Sequence, residues 1–136
     1  MKKTFILLFV SLILFSCEKE ENHKMFEYQL LLSENISKPF SCLGEKRTVT
    51  FTIIQKTLID DVLDSEVPII PRDVSVEFDK TLFSDIETKV EGDQVVLNIT
   101  SNINKEDKIL NSDLQISYST INGIKVEKIP LIIDKG

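Results

Sequence analysis

Apolar and polar residues alternate with a period of two along much of the chain, which is typical of β-strands buried on one face. β-Branched residues are frequent in these stretches, and no long stretch repeats its apolar residues with the helical period of about 3.6. The pattern predicts strands at 28–33, 48–54, 74–78, 86–90, 94–100, 114–118 and 124–133. About seven strands, with turn residues at intervals of about ten, indicate an all-β fold built as an antiparallel β-sandwich.

The stretch 48–54 gives the clearest signal, because three threonines alternate with apolar residues. Successive side chains of a strand point to opposite faces of the sheet. We therefore expect Val49, Phe51 and Ile53 to face the core and the intervening threonines to face away from it.

Glycines mark the predicted hairpins. Residues 91–93 contain Gly92 between two strands and predict a tight connection, since glycine adopts positive φ without strain. Asn122-Gly123 predicts a two-residue turn of type I′, in which both central residues need positive φ. Pro130 interrupts the last strand, which indicates an edge position or a bulge.

Two stretches predict irregular structure. Residues 56–72 carry four acidic side chains and two prolines, with 67–70 as a candidate short edge strand, and 101–113 is mostly polar. The second stretch has the spacing of a calcium loop, but Asp107 stands where such loops need glycine and Asp113 where they need a bidentate glutamate. The four acidic side chains of 56–72 form a second cluster, and clustered carboxylates on a loop are usually a solvated surface. We therefore predict no metal site and no cofactor.

The chain begins as secretory signals do. Two lysines precede an apolar run at 5–15, which the small residue Ser16 closes. The run is about eleven residues long, whereas a membrane-spanning helix needs about 20. We therefore predict a signal peptide over 1–16.

Leu14-Phe15-Ser16-Cys17 is similar to the lipobox of bacterial lipoproteins. The resemblance implies that the Cys17 thiol receives a diacylglyceryl group and that Cys17 becomes the new N-terminus. Two or more acyl chains give stable membrane binding, so the resemblance implies a permanent lipid anchor. From the residues alone, a plain secretory signal with an incidental cysteine stays open.

A charged stretch at 17–24 follows the cysteine, and it contains Glu18, Glu20 and Glu21. Such a stretch buries little apolar surface, which predicts a flexible tether before a folded domain over 25–136. The acidic run also resembles the surface-export signal of Bacteroidetes lipoproteins, which implies an outer-membrane, cell-surface location. The alternative is an ordinary solvated linker.

Composition narrows the function classes. The net charge of −6 disfavours nucleic acid and anionic lipid as partners. Cys42 is the sole cysteine after Cys17, so lipidation of Cys17 leaves no intrachain disulfide. The single histidine, His23, lies in the predicted tether, which excludes Ser-His and Cys-His nucleophile pairs from the domain. We therefore expect no enzyme activity.

The predicted domain resembles the BACON-type immunoglobulin-like domains of Bacteroidetes lipoproteins over most of 25–133. The resemblance lies in Tyr28-x-Leu30, Phe40, Gly44-Glu45, Thr48-Val49-Thr50-Phe51, the 86–100 hairpin, and Asn102 and Asn104. It implies an immunoglobulin-like β-sandwich of about seven strands that is non-catalytic, and a binding or spacer role in a surface glycan-uptake or adhesion assembly.

The sequence leaves two kinds of binding partner open, a glycan or another protein. Glycan binding in such domains needs exposed aromatic rings, and Tyr118 near the last predicted turn is the candidate platform. The alternative reading of Tyr118 is a packed strand residue. The alternative function is a protein-interaction module, an assembly subunit or inhibitor that docks another envelope protein through an exposed strand edge.

Overall fold

The computed structural model describes residues 23–136, which are mostly β-structure, as predicted. The strands are β1 (Lys24–Leu32), β2 (Lys46–Ile59), β3 (Val62–Ile69), β4 (Ser75–Glu77), β5 (Phe83–Glu91), β6 (Gln94–Ser101), β7 (Leu110–Thr120) and β8 (Gly123–Ile133). One 3-10 helix, Glu34–Ser37, lies between β1 and β2. β1 begins at Lys24, the last residue of the predicted tether; the predicted boundaries before it stay predictions.

The described chain divides into two compact units. The first holds 23–27 and 55–67, and the second holds 28–54 and 68–136. One sheet has the order β1-β2-β6-β5, with β3 paired to β2, and the other has the order β4-β7-β8. Two antiparallel sheets fit the predicted all-β sandwich.

In the second unit, the alternation of β2 sets its inner face. Val49 pairs with Leu97 of β6 and Phe51 pairs with Val95. These four side chains and Ile53 are at most 1% exposed, which confirms the predicted core residues of this strand. Burying a large apolar side chain stabilises a fold by about 1.5–3 kcal/mol.

The core of the second unit draws side chains from both sheets and from the segment before β2. The rings of Phe40 and Phe83 meet edge to face, with centroids 5.5 Å apart and planes at 78°. Such pairs add about 0.5–1.5 kcal/mol to the burial of the two rings. The largest fully buried side chains are Tyr118, Phe40, Phe51, Phe83, Ile53, Leu97, Ile99, Leu114, Ile116, Leu131, Ile133 and Val49.

The predicted hairpin of β5 and β6 is confirmed. Glu91 pairs with Gln94, so Gly92 and Asp93 form the turn. Gly92 has a φ of 63° and occupies the first central position, where a type II′ turn requires glycine.

The type I′ turn predicted at Asn122-Gly123 is wrong. Thr120 pairs with Gly123, so the central residues are Ile121 and Asn122, and neither has positive φ. The Thr120 hydroxyl accepts the Asn122 N–H at 3.1 Å and donates to the Gly123 oxygen at 2.6 Å. Gly123 has a φ of 113° and is the first residue of β8. The positive φ therefore follows the turn instead of forming it.

The irregular structure predicted for 56–72 is also wrong over 56–59 and 62–69, which are strands, whereas the candidate edge strand at 67–70 falls at the end of β3. In the first unit, β2 continues to Ile59 and turns directly into β3. Asp60 and Asp61 have φ of 52° and 66°, so the type I′ pattern stands here, on two residues that tolerate left-handed backbone. Asp60 Oδ1 also accepts the His23 N–H at 3.0 Å. β3 is exposed along almost its whole length, so its acidic side chains stay hydrated.

Candidate functional site

β8 is the last strand of its sheet, and one side of its backbone faces away from β7. Its C-terminal end is closed by Phe40, which forms a parallel bridge to Ile133. The Phe40 N–H donates to the Ile132 oxygen at 2.7 Å, and the Asp134 N–H donates to the Phe40 oxygen at 2.8 Å. Backbone groups alternate in direction along an antiparallel strand, so those of every even-numbered residue of β8 point away from β7.

The open edge of β8 is the segment 124–128. Among the residues from 23 onward, no backbone hydrogen bond reaches the outward groups of Ile124, Val126 or Lys128. Pro130 pairs with Asp113 without a shift in register. Its ring removes an N–H that would face outward, which confirms the edge position predicted for it and ends the open edge on that side.

Apolar side chains stand along the open edge. Ile124 is 75% exposed and Val126 is 50% exposed, and they lie opposite Ser119 and Ser117 of β7 on the outer face of the sheet. Ile121 in the preceding turn is 68% exposed. An open strand edge with exposed apolar side chains is a template for a further strand.

Two side chains of opposite charge, Lys125 and Glu127, lie on the other face of the strand, opposite to Ile124 and Val126. Lys125 Nζ donates to the backbone oxygen of Tyr28 at 2.7 Å and lies 3.4 Å from Glu127 Oε2. The same carboxylate oxygen accepts the Tyr118 hydroxyl at 3.0 Å. These contacts hold Lys125 and Glu127 close to the strand rather than free in solvent.

Of the two readings of Tyr118, the structure shows the packed strand residue and not the exposed platform. β7 alternates inward and outward, and Tyr118 falls on the inward phase with Leu114 and Ile116, all 0% exposed. Burial raises the pKa of the Tyr118 hydroxyl well above its usual value, and the Glu127 carboxylate raises it further. Every other phenylalanine and tyrosine from residue 23 onward is buried or half-buried as well.

A polar cleft of about 330 Å³ lies on the outer face of the other sheet, across β2, β6 and β5. Two rows of paired residues cross it: Lys46, Thr100 and Asp85, then Thr48, Asn98 and Glu87. The Thr48 hydroxyl donates to Asn98 Oδ1 at 2.8 Å. The cleft offers donors, acceptors and both signs of charge, without an aromatic face.

Arg47 is a structural centre that the pattern did not predict. Its guanidinium donates to the backbone oxygens of Asn35 (2.8 Å), Lys38 (2.6 Å) and Pro39 (3.0 Å). Its Nε donates to Glu45 Oε2 at 2.8 Å, and its Cζ lies 3.9 Å from the centre of the Phe40 ring. The sequence signal was its spacing: Arg47 precedes Val49 by two residues, so both side chains point to the same, inward face of the sheet.

The loop between β6 and β7 uses its polar groups internally. Asn104 is 3% exposed, and its amide donates to the oxygens of Lys108 and Asp134, both at 2.9 Å. Its Oδ1 accepts the Glu106 N–H at 3.0 Å, as an Asx turn does. Between residues 23 and 136, no three His, Cys, Asp or Glu side chains form a group that could hold a metal ion. Cys42 is a half-exposed free thiol.

The predicted lipidation and cleavage residues, Ser16 and Cys17, lie outside the described residues, as does most of the predicted tether. No protein family, curated protein or solved structure matches the chain. In the range that the structure describes, no helix is long and apolar enough to cross a bilayer.

Proposed function

We propose that this protein is a non-catalytic, lipid-anchored outer-membrane protein that binds another protein by strand addition at the open edge of β8. The observation that carries the proposal is the stretch of outward backbone groups at 124–128, flanked by the exposed side chains of Ile124 and Val126. A partner strand would gain its affinity from the backbone hydrogen bonds and its specificity from the side chains beside them.

The edges of β3 and β5 are less suited to this role. β3 carries Asp64, Glu66 and Pro68, and charges and proline discourage pairing at an edge. β5, the last strand of its sheet, carries exposed Glu87 and Lys89. β8 combines an unpaired backbone with apolar side chains, which favours a bound strand.

The anchor sets where this binding takes place. We propose that Cys17 is lipidated, that the acidic tether directs the protein to the cell surface, and that the folded part is a BACON-like, immunoglobulin-like domain of a Bacteroidetes lipoprotein. A tether that ends before His23 has six residues and spans at most about 20 Å, at about 3.3 Å per residue. The partner is therefore a component of the same envelope.

A proline at Val126 tests the strand-addition proposal. The Val126 N–H faces outward, so Val126→Pro removes one donor from the open edge and none from the pairing with β7. A photo-crosslinking side chain at position 124 of the full chain, expressed in cells, should capture a protein, and Val126→Pro should abolish the capture. Val126→Ala keeps the N–H and should preserve it, and the crosslinker at Glu87 should capture nothing. Capture that survives Val126→Pro would contradict the proposal.

Glycan binding is the second candidate, and the polar cleft is the observation in its favour. Sugar hydroxyls need mixed donors and acceptors, which the rows at Asp85 and Asn98 supply. Binding of the protein to an array of glycans should then be lost in Asn98→Ala and kept in Val126→Pro. The reverse result would assign binding to the open edge.

A further inference from the structure

We infer that the strand added to the open edge is β8 of a second copy of this chain, paired antiparallel with Val126 opposite Val126. The inference rests on the proposed role of the open edge and names its partner. A two-fold axis relates identical surfaces in most homodimers, so each copy would present the same strand to the other.

The outward backbone groups fit this register. Val126 would form a hydrogen-bonded pair with its copy, and Ile124 would form one with Lys128 of the second copy on each side of the axis. Each such pair exchanges two hydrogen bonds, which gives about six in all. The open edge 124–128 is symmetric about Val126, and Pro130 stops the pairing at the same point on both strands.

The charges on the strand select the same register. With Val126 on the axis, Lys125 lies opposite Glu127 of the second copy, twice. If the axis moves by one residue, Lys125 lies opposite Lys125 or Glu127 opposite Glu127, and like charges directly opposite are destabilising. In this register, the charges of 124–128 in one copy are complementary to those of 124–128 in the second copy.

The side chains on the outer face agree with this pairing. Val126, which is 50% exposed, would meet its own copy, and Ile124, which is 75% exposed, would lie against the aliphatic stem of Lys128. Five paired residues a side make a small interface of the weak, transient class. Anchoring both copies to one membrane raises their effective concentration and favours the dimer.

A cysteine on the axis tests the register. Hydrogen-bonded antiparallel pairs have Cα atoms about 5.5 Å apart, within the range of about 4.4–6.8 Å that disulfides span. Full-length Val126→Cys in a Cys42→Ser background should form a disulfide dimer in oxidised membranes, and Glu87→Cys in that background should not. Equal dimer yields from the two variants would overturn the inference.

Charge reversal separates pairing between copies from contacts within one chain. In Lys125→Glu and in Glu127→Lys, each combined with Val126→Cys, identical copies place like charges opposite each other, whereas a mixed dimer restores both pairs. Co-expression with two different tags should yield about two- to thirtyfold more mixed disulfide dimer than like dimer, since the dimer has two such cross-strand pairs and each contributes about 0.2–1 kcal/mol. Random mixing would overturn the inference.

The two proposals fail separately. Capture of a different envelope protein at position 124, abolished by Val126→Pro and without disulfide dimers of Val126→Cys, would overturn self-pairing and leave strand addition in place. A Val126→Cys monomer together with no captured protein would overturn both. Each variant should resist protease as well as the unsubstituted protein does. Equal resistance shows that the substitution leaves the strand folded.

Discussion

At the scale of single residues, Arg47 shows how one buried cation organises an irregular segment. The chain at 35–39 makes few regular backbone bonds, and the planar guanidinium of Arg47 satisfies three of its carbonyl oxygens at once. Lysine could not do this, because its ammonium lacks the rigid fork of donors. The side chain of Arg47 is 7% exposed, so its charge is neutralised locally by Glu45 rather than by water.

Removing this guanidinium should destabilise the protein. We expect Arg47→Ala to lower the free energy of unfolding by about 3 kcal/mol, because it removes the donor to the part-buried backbone oxygens of Lys38 and Pro39 and one of the hydrogen bonds to the Glu45 carboxylate. The free energy of unfolding of Arg47→Lys should fall between those of Arg47→Ala and the native protein. The neighbouring Lys46 is exposed, so Lys46→Ala should change the value by no more than about 0.5 kcal/mol. Urea unfolding of the purified variants measures this, and equal effects at 46 and 47 would refute the assigned role.

Glu45 should make stability depend on acidity. The hydrogen bond from Arg47 is the largest cause that holds the pKa of Glu45 below its ordinary value of 4.5. A depressed pKa means that ionised Glu45 stabilises the fold above pH 4.5, and that this stabilisation is lost as the pH falls through the lowered pKa. The difference in unfolding free energy between the native protein and Glu45→Gln should therefore shrink on acidification from neutral pH. A difference that stays constant would show that the ionised carboxylate contributes nothing.

At the scale of elements, burial determines which strands the sequence predicts well. β5 and β6 flank a clear glycine turn, and each was predicted within three residues of its observed bounds. β2 was predicted over 48–54, which covers most of its buried alternating part, but it continues to Ile59. β3 was predicted only at its end. It is exposed on both faces, so its acids and Pro68 look like loop residues, and only pairing with β2 makes it a strand. The turn at Asp60 and Asp61 depends on left-handed backbone, which aspartate tolerates but does not demand.

The two faces of β2 should differ sharply in their tolerance of substitution. Phe51 is 1% exposed, and Phe51→Ala should lower the free energy of unfolding by about 3–5 kcal/mol, since it removes apolar contacts and leaves a cavity. Thr50, next to it on the half-exposed face, serves as the control, and Thr50→Ala should cost less than about 1 kcal/mol. The midpoint of denaturant unfolding gives both values. Similar losses at the two positions would mean that the outer face of β2 is covered in the native protein.

At the scale of the whole molecule, the candidate site depends on which strand lies last in its sheet, and alternation along the chain does not encode that order. Pro130 was the sequence signal for an edge, and the structure confirms it. For Tyr118 the sequence offered both a ligand platform and a packed strand residue, and the packed reading is the one observed. The available signal was spacing, because Tyr118 follows Leu114 and Ile116 at intervals of two and therefore lies on their face of the strand.

The lipid anchor is the prediction on which the cellular role depends, and it concerns one thiol. Cys17→Ala removes the atom that would carry the diacylglyceryl group, so cells fed a labelled fatty acid should label the native protein and not the variant. Cys42→Ala is the matched control, and it should be labelled like the native protein because its thiol lies far along the chain from the signal. Cys17→Ala should also leave the membrane fraction or accumulate as uncleaved precursor. Labelling that is equal in Cys17→Ala and the native protein would remove the anchor, and with it the reason why weak strand pairing at 124–128 would be populated on the cell surface.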